Sequence, residues 1–239
     1  MDSSSNKSTL IYIYMKIAIY TCIPDNEYDD LINPKIINPN IDYICFTNNI
    51  YNKVINWKLI NIPENICHLS SIKINRYIKL LPHKLPELNN YDYTIYIDAN
   101  VVIINNFQKI IDIISSNNKS LYLQIHEKRY NIYEEACRVI ETKKDNPFNV
   151  TKLMNLISND KFPDNLGLSH NNILIRKNYD NTLNELMEFW WNLVNNYSHR
   201  DQLSLMYSIW KCNFNNYQLI DYHIFNEDIL VTKHLLNNK

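Results

Sequence analysis

The sequence predicts an α/β fold: one domain with a mostly parallel central sheet and helices on both faces. Short apolar runs of strand length alternate with longer segments in which apolar residues recur every three or four positions. The 239 residues are 46% hydrophobic and would suffice for one large domain or two small ones, but no repeat or linker divides them. We therefore expect a flexible tail and lead-in at residues 1–14 and a single domain at 15–239.

Seven apolar segments have the length and the β-branched or aromatic content of strands, and polar or Pro-containing stretches bound them. Most of them are continuously apolar, as in strands buried on both faces of a sheet. They lie at 15–21, 41–47, 57–62, 93–97, 101–104, 121–125 and 171–176.

The first predicted helix begins at a Ser70 or Ser71 cap and ends before Pro82, with an apolar stripe on one side. The second is capped by Asn105 or Asn106. Further helices are expected around 133–142, 183–194 and 203–210, whereas 143–164 forms a long polar stretch with no element.

Composition excludes several classes of function. Gly167 is the single glycine, so neither a P-loop nor a dinucleotide-binding glycine motif is present. The net charge is −1 with no basic block, which argues against a nucleic-acid partner. The apolar run at 10–23 contains Lys16 and is too short to span a bilayer, so we expect no membrane span.

Five cysteines are scattered along the chain without a C-x-x-C pair, which argues against a disulfide framework and a zinc site. A reducing compartment is the simplest interpretation. Without a signal-peptide pattern, we expect a cytoplasmic protein, in the host cytoplasm if the source is viral. The oligomeric state is left open.

The strand at 93–97 runs directly into Asp98, and Asn100 follows one residue later. A buried strand cannot keep an uncompensated carboxylate, so Asp98 must lie where the strand meets solvent, a metal or a polar partner. At the carboxyl edge of an α/β sheet, two such oxygens could hold a divalent cation that neutralises a diphosphate. The alternative is a strand-ending Asp that caps a turn.

Three basic residues, Lys73, Arg76 and Lys79, share one side of the first helix. They could face the phosphates of a donor or the acids of a metal site. The alternative is a solvated helix surface. His126 and Arg129, after another strand end, could bind a sugar or acceptor, or could simply belong to a loop that opens a helix.

Gly167 indicates either a positive φ or close approach of the backbone to a sugar. Ser198 and Asp201 fit a capping box, yet Asp201 and Gln202 side by side could also present a carboxylate and an amide to a sugar. His223 or His234 could complete a metal site with Asp98 and Asn100.

Taken together, the segments at 20–23, 28–30, 42–47, 79–84, 93–100, 126–135 and 198–204 resemble a known family in sequence and in order. It is the glycosyltransferase-like domain family first described as of unknown function, with members in plant cell-wall proteins and bacteria. The resemblance covers about residues 15–215. It implies a GT-A fold, a nucleotide-diphosphate sugar donor, and a glycan or other hydroxyl acceptor.

The resemblance also implies roles for individual residues. Asp98 and Asn100 match a D-x-D-like metal motif for Mn²⁺ or Mg²⁺, with Asn in place of the second acid. The Asp201-Gln202 pair is similar to the pair that glycogenin-like transferases place beside the donor sugar. The residues implied to bind nucleotide or substrate are Tyr20, Thr21, Cys22, Arg76, Lys79, His126, Arg129 and Gly167.

The function implied is metal-assisted transfer of a sugar, with Asp201 positioning the acceptor or stabilising positive charge on the sugar. One alternative is a non-catalytic module that binds a nucleotide sugar or glycan, which the Asn at position 100 favours. Another is a nucleotidyltransferase, but such enzymes usually need a glycine-rich phosphate loop.

Overall fold

A computed structural model describes residues 15–25, 31–49 and 54–233. Across them runs a seven-stranded sheet in the order β3-β2-β1-β4-β7-β6-β8, and a separate two-stranded ribbon pairs β5 with β9. The strands are β1 Ile17–Ile23, β2 Ile41–Thr47, β3 Lys58–Ile60, β4 Tyr93–Ile97, β5 Val101–Ile103, β6 Leu121–Ile125, β7 Ser169–Lys177, β8 Tyr217–Ile220 and β9 Ile229–Val231.

The central sheet is mostly parallel, as predicted. Strand β1 pairs in parallel with β2 and β4, β2 pairs in parallel with β3, and β6 pairs in parallel with β8. Strand β7 runs antiparallel between β4 and β6, with Ile97 opposite Ile173 and Ile125 opposite Ser169. The amino end of β7 therefore lies at the same edge as the carboxyl ends of β4 and β6.

Seven α-helices cover the sheet within the described residues. They are α1 Ser71–Leu80, α2 Gln108–Asn117, α3 Ile132–Glu141, α4 Pro147–Asn159, α5 Asn181–Asn196, α6 Leu205–Lys211 and α7 Tyr222–Phe225. Short 3₁₀ turns occur at Glu64–Ile66, Pro82–Lys84, Pro86–Leu88 and Asp201–Leu203.

Two hydrophobic cores lie on opposite faces of the sheet, which confirms the prediction of helices on both sides. Helices α1 and α3 to α6 pack on one face, together with Tyr20, Tyr96 and Leu174. Helix α2, α7 and the β5–β9 ribbon pack on the other, together with Ile95 and Ile173. Neighbouring strand residues contribute to alternate cores because their side chains point to alternate faces.

Helix α1 forms where local signals predict it. The Ser70 side chain accepts a hydrogen bond from the Lys73 backbone N–H, which caps the amino end. Ile74, Ile78 and Leu81 are buried, so the predicted apolar stripe is confirmed. The helix then stops at Pro82, which cannot continue it.

Two local predictions are wrong. The polar stretch at 143–164 contains helix α4, which begins with Pro147 after an Asn146 cap and buries Val150, Leu153 and Ile157. Helix α2 begins later than expected: Phe107, with a left-handed backbone (φ 60°), occupies the cap position.

Several predictions lie outside the described residues, namely the tail at 1–14, the motif at 28–30 and His234. Within the described part, no helix combines the length and the apolar character needed to cross a bilayer. All five cysteines are free thiols, and Cys22 and Cys45 are buried in the core as expected.

Candidate active site at the carboxyl edge of the sheet

Asp98 directly follows β4, at the edge where β6 also ends. Its backbone N–H donates to the Asn172 carbonyl at 2.8 Å, and its own carbonyl accepts from the Val101 N–H at 2.9 Å. The backbone is thus held in a tight turn while the carboxylate remains 33% exposed. This carboxylate lies at the rim of the sheet, as predicted.

Lys79 joins Asp98 to Asp201. Its ammonium lies 3.2 Å from an Asp98 oxygen and 2.7 Å from an Asp201 oxygen, and only 2% of the side chain is exposed. The ammonium also lies 5.0 Å from the centre of the Tyr96 ring, a cation–π distance. The basic face of α1 is therefore directed into the site at this position and not into solvent.

Arg76 lies one turn before Lys79 and faces the same carboxylate. Its Nε is 3.9 Å from Asp201 Oδ2 and donates to the His199 carbonyl at 3.1 Å. Burial alone would lower the pKa of the Arg76 guanidinium, but the carboxylates of Asp201 and Asp98 raise it. The third basic residue, Lys73, instead donates to the Asn195 carbonyl.

Asp201 is a buried anion in the 3₁₀ turn before α6. Burial raises the pKa of its carboxyl group, but Lys79 and then Arg76 outweigh that effect and lower the pKa to about 2. The predicted capping box does not form: Ser198 Oγ accepts from the Arg200 backbone N–H at 3.2 Å and donates to Asp145 Oδ2 at 2.6 Å. The Asp201 carboxylate instead interacts with Lys79 and Arg76.

Gln202 follows Asp201 in the same 3₁₀ turn, and Gly167 lies just before β7. The Gln202 side-chain amide donates to the Ser169 carbonyl at 2.8 Å, which ties the Asp201 turn to the start of β7. Gly167 has φ +83°, and no atom lies within 4 Å of where a Cβ would sit. The positive φ explains the glycine.

The predicted nucleotide-binding residues of β1 are buried. The Tyr20 hydroxyl lies within hydrogen-bond distance of the Ile78 and Lys79 carbonyls, at 3.3 and 3.2 Å. The Cys22 carbonyl accepts from Asn75 Nδ2 at 2.9 Å. Thr21 is 1% exposed, and its hydroxyl has no hydrogen-bond partner among the described residues.

Asn100 is anchored to the carboxyl-terminal strand region. Its side-chain N–H donates to the Thr232 carbonyl at 2.8 Å, and its own carbonyl accepts from the Thr232 N–H and hydroxyl at 2.9 and 3.0 Å. This contact fixes the amide so that Oδ1 is turned away from the Thr232 carbonyl. It also gives a structural reason for Asn where the resemblance expects an acid.

We expect Asn100→Asp, which restores the second acid of the motif, to lower the free energy of unfolding by about 1–3 kcal/mol. A carboxylate would face the Thr232 carbonyl without a proton to share. Asn100→Ala, which removes the bond without adding repulsion, should cost less. Urea unfolding checks this order, and the reverse order would contradict the anchoring role.

The donor atoms at this edge fit a hard divalent cation. One Asp98 carboxylate oxygen and Asn100 Oδ1 have no hydrogen-bond or ion-pair partner within the described part of the chain, and Mn²⁺ and Mg²⁺ prefer such oxygens. No group of three His, Cys, Asp or Glu side chains at metal-binding spacing occurs among residues 15–25, 31–49 and 54–233. His223 is exposed in α7, with its ring 4.4 Å from that of Tyr222.

His126 follows β6 at the same edge and is 5% exposed. Its Nδ1 accepts from the Lys128 and Arg129 backbone N–H groups, both at 3.0 Å, and its Nε2 lies 3.0 Å from an Arg129 guanidinium nitrogen. Arg129 also forms an ion pair with the buried Glu135. Both ring nitrogens face donors, which disfavours the protonated ring.

Burial, and then the charge of Arg129 and the neighbouring His170, lower the pKa of His126 to about 4. The unfolded chain protonates this side chain below about pH 6.5, whereas the folded chain does so only near pH 4. Stability from this group is therefore present at neutral pH and is lost as pH falls through that window.

We expect wild-type unfolding free energy to fall by up to about 3 kcal/mol through this group between about pH 6.5 and 4. His126→Asn, whose amide oxygen can accept the same backbone N–H groups, should remove that part of the decrease. The exposed His68 serves as a control as His68→Asn. An unchanged pH profile in His126→Asn would contradict the assignment.

Arg176, predicted from the sequence only as part of a strand, lies against Lys79 in the structure. It is 1% exposed in β7 and donates to the Lys79 carbonyl and to the Tyr20 hydroxyl. The available signal was a charged residue directly after the apolar residues 173–175 of a predicted buried strand. Asn75, which joins Cys22 to Arg76 and the Tyr96 hydroxyl, carried no such signal.

Three solved structures follow a course of the chain similar to this one. The chain is similar to apo WbbM, a bifunctional glycosyltransferase (14% identity, TM-score 0.49, covering 86% of this chain and 38% of that one). It is also similar to the mannosyltransferase Ktr4p from S. cerevisiae (14%, 0.44, covering 77% and 62%). A third is the Mn/GDP form of core-mannan synthase A from Aspergillus fumigatus (11%, 0.47, covering 86% and 73%).

The chain thus spans well under half of WbbM and somewhat less than two thirds of Ktr4p. No curated protein matches it in sequence. The family model of the TOD1/MUCI70 glycosyltransferase-like domain matches residues 6–234, almost the whole length. The chain therefore belongs to the TOD1/MUCI70 glycosyltransferase-like domain family.

Proposed function

We propose that this protein transfers a sugar from a nucleotide-diphosphate donor to the hydroxyl group of a glycan or another acceptor. The observation that carries the proposal is the placement of Lys79 between Asp98 and Asp201 at the carboxyl edge of the sheet. Ligands of open α/β sheets bind at this edge. Membership of a glycosyltransferase-like family supports the same reaction class.

Lys79 and Arg76 supply the positive charge that a diphosphate needs. Their charges are matched by those of Asp98 and Asp201. A bound diphosphate would add negative charge to this balanced cluster. A further cation at the edge would offset that charge.

Asp98 and Asn100 would hold Mn²⁺ or Mg²⁺, because their unpartnered oxygens are suitable ligands. The ion would stabilise the charge that develops on the departing nucleoside diphosphate. Lys79 contacts the other Asp98 oxygen at 3.2 Å and fixes that carboxylate in place.

Asp201 acts as a fixed anion in this proposal and not as a proton acceptor. With a pKa of about 2, its carboxylate is a weak base at neutral pH. It orients Lys79 and Arg76 and can stabilise positive charge on the sugar as the glycosidic bond breaks. Gln202, buried beside it and tied to Ser169, keeps this turn in position.

The test is release of nucleoside diphosphate from a panel of UDP- and GDP-sugars, with glycan acceptors and with or without Mn²⁺ or Mg²⁺. We expect turnover of one donor and a decrease of at least roughly 100-fold in Asp98→Asn. Asp112→Asn, an exposed carboxylate on α2, is the matched control. Full activity in Asp98→Asn, or no donor turned over, would contradict the proposal.

A second candidate is a module that binds a nucleotide sugar without turnover. The commitment of the Asn100 amide to Thr232 favours it, because it leaves a single acid at the proposed cation site. Calorimetric binding of a nucleotide sugar, with no product formed under any metal and acceptor condition, would support this candidate over the transferase.

A further inference from the structure

Arg176 carries a buried positive charge near the end of β7 that lies away from the candidate edge. It lies in β7 opposite Thr94 of β4 and Leu121 of β6, and it is 1% exposed. Its side chain is on the face covered by α1, where it contacts the Lys79 carbonyl, the Tyr20 hydroxyl and, at 3.9 Å, the Met187 sulfur.

No carboxylate pairs with Arg176 among the residues that the structure describes. Burial lowers the pKa of its guanidinium, with the nearby Tyr20 opposing that effect, but arginine remains charged in proteins. A buried charge without a counter-charge is strongly unfavourable. Such a residue needs an explanation beyond packing.

Hydrogen bonding does not supply that explanation. The Tyr20 hydroxyl lies 3.2 Å from the Lys79 carbonyl and could donate to it in the absence of Arg176. The guanidinium Nε has no hydrogen-bond partner among the described residues. An apolar side chain of similar length would fill the same volume without a desolvated charge.

The position of Arg176 connects it to the proposed diphosphate site. Its guanidinium holds the backbone of Lys79, the residue whose ammonium contacts Asp98 and Asp201. The charges of Lys79 and Arg76 are already matched by two carboxylates, so Arg176 adds a positive charge that these carboxylates do not balance.

We infer that Arg176 is a positioning residue for the diphosphate, fixing Lys79 and supplying a buried positive charge whose counter-charge arrives with the ligand. This inference rests on the proposed function, because it assigns the ligand's phosphates to the Lys79 side of the site. It predicts that the effect of Arg176 depends on the charge of the ligand.

The experiment compares Arg176→Met and Arg176→Lys with the wild type. UDP and GDP are the charged probes, uridine and guanosine the neutral ones, and calorimetry gives Kd. Arg176→Met should weaken binding of the diphosphate about tenfold, the effect of one charge acting over roughly 10 Å at an effective dielectric constant of about 20. Nucleoside binding should not change. Arg176→Lys, which keeps the charge, should stay within about threefold.

Lys177→Met is the matched control, since Lys177 is the next residue of β7 and its ammonium donates to Asn118 Oδ1 at 2.8 Å. Equal diphosphate affinity in wild type and Arg176→Met would overturn the inference, as would equal weakening of diphosphate and nucleoside. If Arg176→Met does not fold, a folded Arg176→Lys that loses tenfold in diphosphate affinity would overturn it, and one that keeps that affinity would support it. A wild type that binds neither UDP nor GDP would overturn the proposed function, and this inference with it.

Discussion

Lys79→Met is expected to lower the free energy of unfolding by about 3 kcal/mol, because it removes one partner from a buried ion pair. Asp201, with 6% of its side chain exposed, would then keep the longer ion pair with Arg76, at 3.9 Å. Because Met fills most of the volume of the lysine stem, the decrease in unfolding free energy would result from the lost charge and not from a cavity. Urea unfolding at neutral pH measures it.

The same substitution should reduce turnover of the preferred nucleotide sugar by about a thousandfold and weaken nucleoside-diphosphate binding. Without the Lys79 ammonium, the carboxylates of Asp98 and Asp201 would repel the phosphates of the donor more strongly. Lys84→Met is the control, because Lys84 forms a surface pair with Glu188 and is 48% exposed. We expect that control to change stability by less than about 1 kcal/mol. A stable and active Lys79→Met protein would contradict the role of this pair.

The sequence predicts helix α1 accurately because all of its signals are local. The Ser70 cap, the apolar spacing and Pro82 lie within one segment. Helix α4 has similar signals in Asn146, Pro147 and its apolar positions. The many Asn and Lys residues around it, however, give this segment a composition typical of loops. The reversed direction of β7 depends on pairing with β4 and β6, which no local pattern contains.

The candidate site was predicted in part for the same reason. The sequence predicts the position of Asp98 at the edge of the sheet, since an apolar strand that stops at an acid must reach a polar environment. What Asn100 does depends on Thr232, which is 132 residues away in sequence. The choice between a cap and a buried ion pair for Asp201 likewise depends on α1, more than 100 residues earlier in the chain.

Asp201→Asn is expected to have the opposite effect on ligand binding from Lys79→Met. Removal of the carboxylate leaves Lys79 and Arg76 with excess positive charge beside Asp98. We therefore expect nucleoside-diphosphate affinity to be kept or increased, while turnover falls by roughly 100- to 1,000-fold. Calorimetry and the transfer assay measure the two quantities separately. A parallel loss of binding would contradict the proposed division of roles.

The acid stability of Asp201→Asn provides a second test. The carboxyl pKa of Asp201 is lowered from its ordinary value of 3.8 to about 2. The wild type therefore has stability from this group above about pH 4, which is lost as pH falls towards 2 and amounts to about 2 kcal/mol. Asp201→Asn should lack that decrease and be less stable than wild type at neutral pH, because its neutral amide cannot compensate the buried Lys79 ammonium.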